Sequence, residues 1–141
     1  MICLDASLVL KLVLPEPDRP HVRELWDQWV DQRETICAPW LFPFEVHSVL
    51  RQKVARGVLG PGEDRAAWAV VHGLGIQIQH EEGLWDLAWV LAQKYQRPTT
   101  YDVVYLALAE ILDCDFWTAD RRLLAALGGR EPRVRSVSTT E

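Results

Sequence analysis

Four carboxylates stand at positions where an acid could do chemistry as well as carry charge. Asp5 closes "MICLD", Glu45 lies inside "LFPFEVHSVLRQKV", Asp102 heads "DVVYLALA", and Asp120 closes "FWTAD". Three of them have a complete structural explanation. Aspartate is favoured at helix caps and in first turns, where its oxygens accept orphan N–H groups and its charge suits the helix dipole. Thr99 and Asp102 have the spacing of a capping box. Glu45 is different, because Leu41, Phe42 and Val49 share its helical face. An acid among core-facing residues is costly unless compensated, by snorkelling or by pairing with Arg51 or Lys53. Should all four reach one crevice, their charges could not coexist without a counter-charge. Oxygen-only ligands suit Mg²⁺ or Mn²⁺. Such a site can orient and acidify a water and stabilise charge on a phosphoryl oxygen, so the chemistry indicated is metal-assisted hydrolysis of a phosphodiester.

The elements that must position these acids are legible as an alternation. "MICL", "TICA", "GIQIQ", "DFWTA" and "RVRSVS" read as strands. Helices are expected over Ala6 to Leu14, Asp18 to Gln32, Leu41 to Arg56, "GPGED" to about His72, Leu84 to Tyr95, the segment after Pro98, and "DRRLLAAL". This order predicts an α/β fold, a parallel sheet covered by helices. Asp5 and Asp120 then fall at carboxyl ends of strands, where parallel sheets place their ligand crevices. No repeat, low-complexity tract or linker divides the 141 residues, which read as a single domain over 1–141.

Composition narrows the function classes. Apolar residues make up 49% of the chain, which argues for a folded globular protein. The formal charge of −5 argues against a simple polyanion binder, though not against an enzyme that reaches phosphate through metal ions. Cys3, Cys37 and Cys114 read as buried thiols of a reducing compartment. Asp5 and Lys11 interrupt the apolar start, so no signal peptide is expected, and no apolar run is long enough to span a membrane. A cytoplasmic location is the expectation.

The stretches "LDASLVLKLVLPE", "APWLFPFEVHSVLR", "TTYDVVYLALAE" and "FWTADRRLL" resemble, in order and spacing, the motifs of PIN-domain ribonucleases, above all the VapC-type toxins of toxin–antitoxin pairs. The resemblance runs from Met1 to about Val137. It implies a three-layer α/β/α sandwich around a central, mainly parallel sheet, and an Mg²⁺ or Mn²⁺ site that cuts RNA. It places Asp5, Glu45, Asp102 and Asp120 on the family's acidic, metal-holding positions, with Ser7 and Thr118 as the supporting polar residues. It further implies a homodimer and a cognate antitoxin as partners. Where the family commonly has asparagine three residues after the glutamate, this chain has Ser48, whose hydroxyl can still hydrogen-bond a carboxylate or water.

Other features are weighed against plainer roles. Arg121, Arg122 and Lys11 could line an RNA path beside the acids, or form an ordinary solvated face. Asp115 reads as a solvated strand start, and the four histidines show no ligand spacing. Among the seven tryptophans, Trp26 with Trp29 and Trp85 with Trp89 have helical spacing and are expected in the core. Two rival functions stay open: an RNA-processing PIN nuclease without an antitoxin, and a non-catalytic α/β binding module whose aspartates are only caps.

Overall fold

The structure, a computed structural model, describes residues 1–137. Five strands form one sheet: β1 (Ile2–Leu4), β2 (Ile36–Pro39), β3 (Gln77–Gln79), β4 (Asp115–Thr118) and β5 (Val134–Ser136). Between them run α1 (Ala6–Val13), α2 (Arg19–Asp31), α3 (Phe42–Ala55), α4 (Glu63–His72), α5 (Leu84–Lys94), α6 (Val103–Leu112) and α7 (Arg121–Leu127). Each expected element is present; Ser138, the last residue of the expected "RVRSVS" strand, lies outside the described residues.

Local signals account for the boundaries. Pro20 and Pro43 sit in the first turns of α2 and α3, where a missing N–H costs nothing. The first helix ends at Leu14, whose backbone turns extended ahead of Pro15. Helix α6 passes to β4 through Asp113, which adopts a left-handed conformation (φ 51°) that aspartate tolerates better than most side chains.

The sheet order is β3-β2-β1-β4-β5, and all four pairings are parallel. Right-handed crossovers then place α1 to α4 on one face, between β1 and β3, and α5 to α7 on the other, which gives three layers. Strand order reverses between β1 and β4. A doubly wound sheet opens its crevice at the carboxyl ends flanking such a switch point. Leu4 pairs with Trp117, so Asp5 emerges directly beside Thr118.

The core is continuous through the sandwich. Every residue from Val103 to Ala109 of α6 is buried, because the helix lies on β1, β2 and β4 and is covered outside by α5. Its Tyr105 ring stacks on Phe116 of β4, with centroids 6.1 Å apart. The Cys3 thiol donates to the Tyr105 carbonyl at 3.4 Å and ties the central strand to the same helix. All three cysteines are buried and free, as expected.

The tryptophans divide. Trp26 and Trp29 are buried, and Trp29 meets Trp117 edge-on at 5.3 Å. Trp85 and Trp89 correct the expectation, since they are 62% and 64% exposed. Their spacing sets them on one face of α5, but Leu84, Ala88, Leu91 and Ala92 form the face that packs. Spacing defines a stripe on a helix; it does not say which stripe is turned inward.

Candidate active site

A cavity of about 270 Å³ opens at the switch point, lined by Asp5, Ser7, Glu45, Thr99, Tyr101, Asp102, Tyr105 and Asp120. The four acids therefore come from four places in the chain: the end of β1, the first turn of α3, the start of α6 and the end of β4.

Asp5 is buried and fully supported. One oxygen, Oδ1, accepts from the Ser7 hydroxyl at 2.6 Å and from the Leu8 N–H at 3.2 Å; the other, Oδ2, accepts from the Thr118 hydroxyl. The Leu8 bond is the helix cap expected of this residue. Ser7 and Thr118 also lock the end of β4, since the Ser7 hydroxyl accepts from the Ala119 N–H and the Thr118 hydroxyl from the Asp120 N–H, each at 3.0 Å. Asp120 caps α7, its Oδ1 accepting from the N–H groups of Arg122 and Leu123 at 3.0 and 3.1 Å.

Asp102 departs from the cap reading. It occupies the N-cap position of α6 but makes no side-chain cap bond. Instead Arg97 directs both Nε (3.0 Å) and Nη2 (2.8 Å) onto Asp102 Oδ2. The other oxygen, Oδ1, is buried without a hydrogen-bond partner. Glu45 likewise does not pair as Arg51 or Lys53 would allow. Arg51 turns to Asp64 at 3.1 Å, and Glu45 Oε1 is left buried and unpartnered.

Unpartnered buried carboxylate oxygens are rare and costly, because each has lost water without replacement. Burial raises the Asp5 carboxyl to about 6 against an ordinary 3.8, with Ser7 and Thr118 opposing the rise and the Asp120 charge adding to it. Burial also raises Glu45 to about 7 against an ordinary 4.5, and the charges of Asp5, Asp102 and Asp120 contribute. Mutual repulsion of this kind marks a site shaped for positive charge. Free carboxylate oxygens on a cavity wall fit a hard divalent cation. Among the described residues, no three or more His, Cys, Asp or Glu side chains are drawn into ligating geometry, so the acids line the wall without closing on one point.

These shifts predict a pH effect. Between the ordinary and the folded-state values, the folded protein holds protons that the unfolded chain has released. The stability these two groups give is complete below about pH 4 and is lost as pH rises through 6 and 7. The metal-free protein should therefore melt at lower temperature at pH 8 than at pH 5, and an Asp5→Asn/Glu45→Gln variant should show a flatter profile. Parallel profiles for the two proteins in calorimetric scans would contradict these assignments.

The remaining residues singled out by sequence lie outside the cavity. Lys11 pairs with Asp18 at 2.9 Å and, with Arg121, lines a neighbouring cavity of about 260 Å³; Arg122 is exposed on α7. Asp115 pairs with Arg135 at 3.3 Å, in keeping with a solvated strand start. Ser48 is exposed on α3, and His47 packs edge-on against Trp68. Sequence reasoning did not single out Arg97, Tyr101 or Tyr105. Only Tyr105 carried a local signal, three residues from Asp102 and so on its helical face.

Fold and cavity together define the class: a parallel α/β sandwich with an acid-lined cleft at its switch point. The PIN domain family model matches residues 2–128, and the chain belongs to that family. Among curated proteins it is similar to ribonuclease VapC9 of Mycobacterium tuberculosis, 32% identical over 123 residues, which covers 87% of this chain and 88% of the relative. It is 33% identical over 132 residues to ribonuclease VapC12 of the same organism, covering 91% and 93%. The crystal structure of PAE2754 from Pyrobaculum aerophilum shares the fold, with a TM-score of 0.68 over 96% of this chain and 88% of that one, at 22% identity.

Proposed function

We propose that this protein is a divalent-metal-dependent endoribonuclease, the toxin of a type II toxin–antitoxin pair, with residues 1–141 forming one PIN domain. The observation that carries the reading is the pair of unpartnered buried oxygens, Glu45 Oε1 and Asp102 Oδ1, on the wall of a four-carboxylate cavity. It is supported by membership of the PIN family and by the ribonuclease names of the relatives.

Asp5, Glu45, Asp102 and Asp120 would hold Mg²⁺ or Mn²⁺. When bound, the cation supplies Lewis-acid activation of water and neutralises charge on the phosphate. The chain's own residues divide the remaining work. Ser7 and Thr118 fix the Asp5 carboxylate from two sides, and Arg97 holds one Asp102 oxygen while the other has no partner among the described residues. Arg121 and Arg122, at the start of the helix that Asp120 caps, and Lys11 in the adjacent cavity are the cations we assign to the RNA backbone. Incubating the protein with a mixed RNA pool tests the assignment. Cleavage with Mn²⁺ and none with EDTA is expected; cleavage that survives EDTA would overturn it.

Two partners complete the proposal. An antitoxin would neutralise the site by presenting an arginine or lysine to the acids, as Arg97 already does to Asp102 within the chain. A second copy would cover the exposed aromatic face formed by Trp40, Trp85, Trp89 and Tyr101, all of which stand out of the core. A groove of about 350 Å³ runs between Trp40, Trp85, Trp89 and Tyr101 and adjoins the acidic cavity at Tyr101. An apolar patch of this kind marks an interaction surface. Replacing Trp85 and Trp89 by serine should shift the protein to a monomer in sedimentation velocity without altering its circular dichroism. A sedimentation coefficient equal to that of the unaltered chain would count against this interface. No helix among the described residues is long and apolar enough to cross a membrane. A cytoplasmic location is proposed from the buried free thiols.

A further inference from the structure

Each carboxylate of the cavity except one has a donor from the protein. Asp5 is held by Ser7, Leu8 and Thr118, Asp102 by Arg97, and Asp120 by two backbone N–H groups. No hydrogen bond among the described residues reaches the Glu45 carboxylate, and its Oε1 is buried. One buried donor in the same cavity has no recipient among the described residues. Tyr105 is 1% exposed, and its hydroxyl has no hydrogen-bond partner.

Packing does not explain that hydroxyl. The Tyr105 ring stacks on Phe116 at 6.1 Å and 9°, a contact a phenylalanine would make equally well. A buried O–H that meets neither water nor protein is a net cost, so its presence within the otherwise apolar stretch from Val103 to Ala109 calls for a polar recipient. The other side-chain hydroxyls at the base of the cavity, those of Ser7 and Thr118, already serve Asp5.

We infer that Tyr105 is a positioning residue for Glu45, its hydroxyl donating to the glutamate carboxylate and fixing the direction in which that group faces the cavity. This rests on the acidic cavity being a divalent-cation site. Supporting it, the two groups line the same cavity, each with a buried oxygen that no group among the described residues engages. Asp102 also has a free oxygen, but its carboxylate already receives two N–H groups from Arg97, whereas the Glu45 carboxylate receives none among the described residues. In this arrangement α6 supplies the site with two things: a ligand at its start and, one turn on, a donor that aims the ligand of α3.

Calorimetric titration with Mn²⁺ tests the inference in the full chain. Tyr105→Phe removes one oxygen and keeps the ring. It should leave the circular dichroism of the metal-free protein unchanged, lower its melting temperature by no more than the loss of one hydrogen bond does, and weaken Mn²⁺ binding roughly 10- to 100-fold, the usual effect of losing a partner that orients a metal ligand. In a Glu45→Ala background, which leaves no acceptor at that position, the same substitution should change Mn²⁺ affinity no further, whereas in an Asp102→Asn background its effect should persist. Wild-type affinity in Tyr105→Phe would overturn the inference, and so would an equal loss in the Glu45→Ala background. If the unaltered protein binds no Mn²⁺, or binds it equally well as Asp5→Asn, the metal-site reading itself has failed.

Discussion

Asp5→Asn is expected to lower RNA cleavage by more than about 100-fold, beyond what loss of a merely supporting partner costs a metal site. Asp5 is the most constrained acid of the cavity, buried, held on both oxygens and placed at the end of the central strand. Asparagine keeps the size of the side chain and one acceptor, and the Ser7 and Thr118 hydroxyls can rotate to receive from its amide. The fold should therefore survive, and the loss should be one of charge alone. Circular dichroism should match that of the unaltered chain, and the urea midpoint of the metal-free protein should be equal or higher above about pH 7, where the variant no longer buries a charge, while cleavage disappears. Retained cleavage would remove Asp5 from the metal site. Loss of both fold and cleavage would mean that the carboxylate is structural.

Phe116→Ala should have the opposite signature. Phe116 is fully buried in β4, flanked by β1 and β5, and its ring backs Tyr105. Truncation removes most of a buried aromatic side chain and leaves a cavity that surrounding backbone cannot close, a cost of about 3–5 kcal/mol. The urea midpoint should fall with little change in slope. Cleavage per folded molecule should fall as well, because the wall behind Tyr105 and Thr118 has been loosened. A loss below about 1 kcal/mol would show that the layer relaxes around the gap, contrary to close packing.

Much of this was legible in the chain because periodicity and punctuation agreed. Strands of three or four residues alternated with helices stopped by Pro15, Gly57 and Gly128, and that alternation defined the doubly covered parallel sheet. Glu45 was legible as an anomaly, since its neighbours on the helix face the core. The switch point was not, because strand order depends on which crossover goes which way along the sheet. It is the position of β4 beside β1 that brings Asp120 to Asp5.

The misreadings have equally specific causes. Asp102 looked like a cap from its place at the head of a helix, yet a cap needs its oxygens turned to N–H groups, and Arg97 has turned one elsewhere. No helical rule predicts a contact across the turn that separates positions 97 and 102. Trp85 and Trp89 looked like core because they repeat at four residues, as any helical face does, including one left for a partner. Tyr105 was absorbed into the apolar run of α6, where a single hydroxyl leaves the pattern of hydrophobicity almost unchanged. Its meaning emerged only with the neighbours it lacks.

The central claim is that four carboxylates together hold the cation with which RNA is cut. The measurement that tests it most directly is the initial rate of RNA cleavage as a function of Mn²⁺ concentration, for the unaltered chain and for Asp5→Asn, Glu45→Gln, Asp102→Asn and Asp120→Asn in parallel. The account predicts a rate that rises from zero and saturates for the unaltered chain, and for each variant either no cleavage or saturation displaced to higher Mn²⁺. A rate independent of Mn²⁺, or a set of four variants that all cleave as the unaltered chain does, would contradict it.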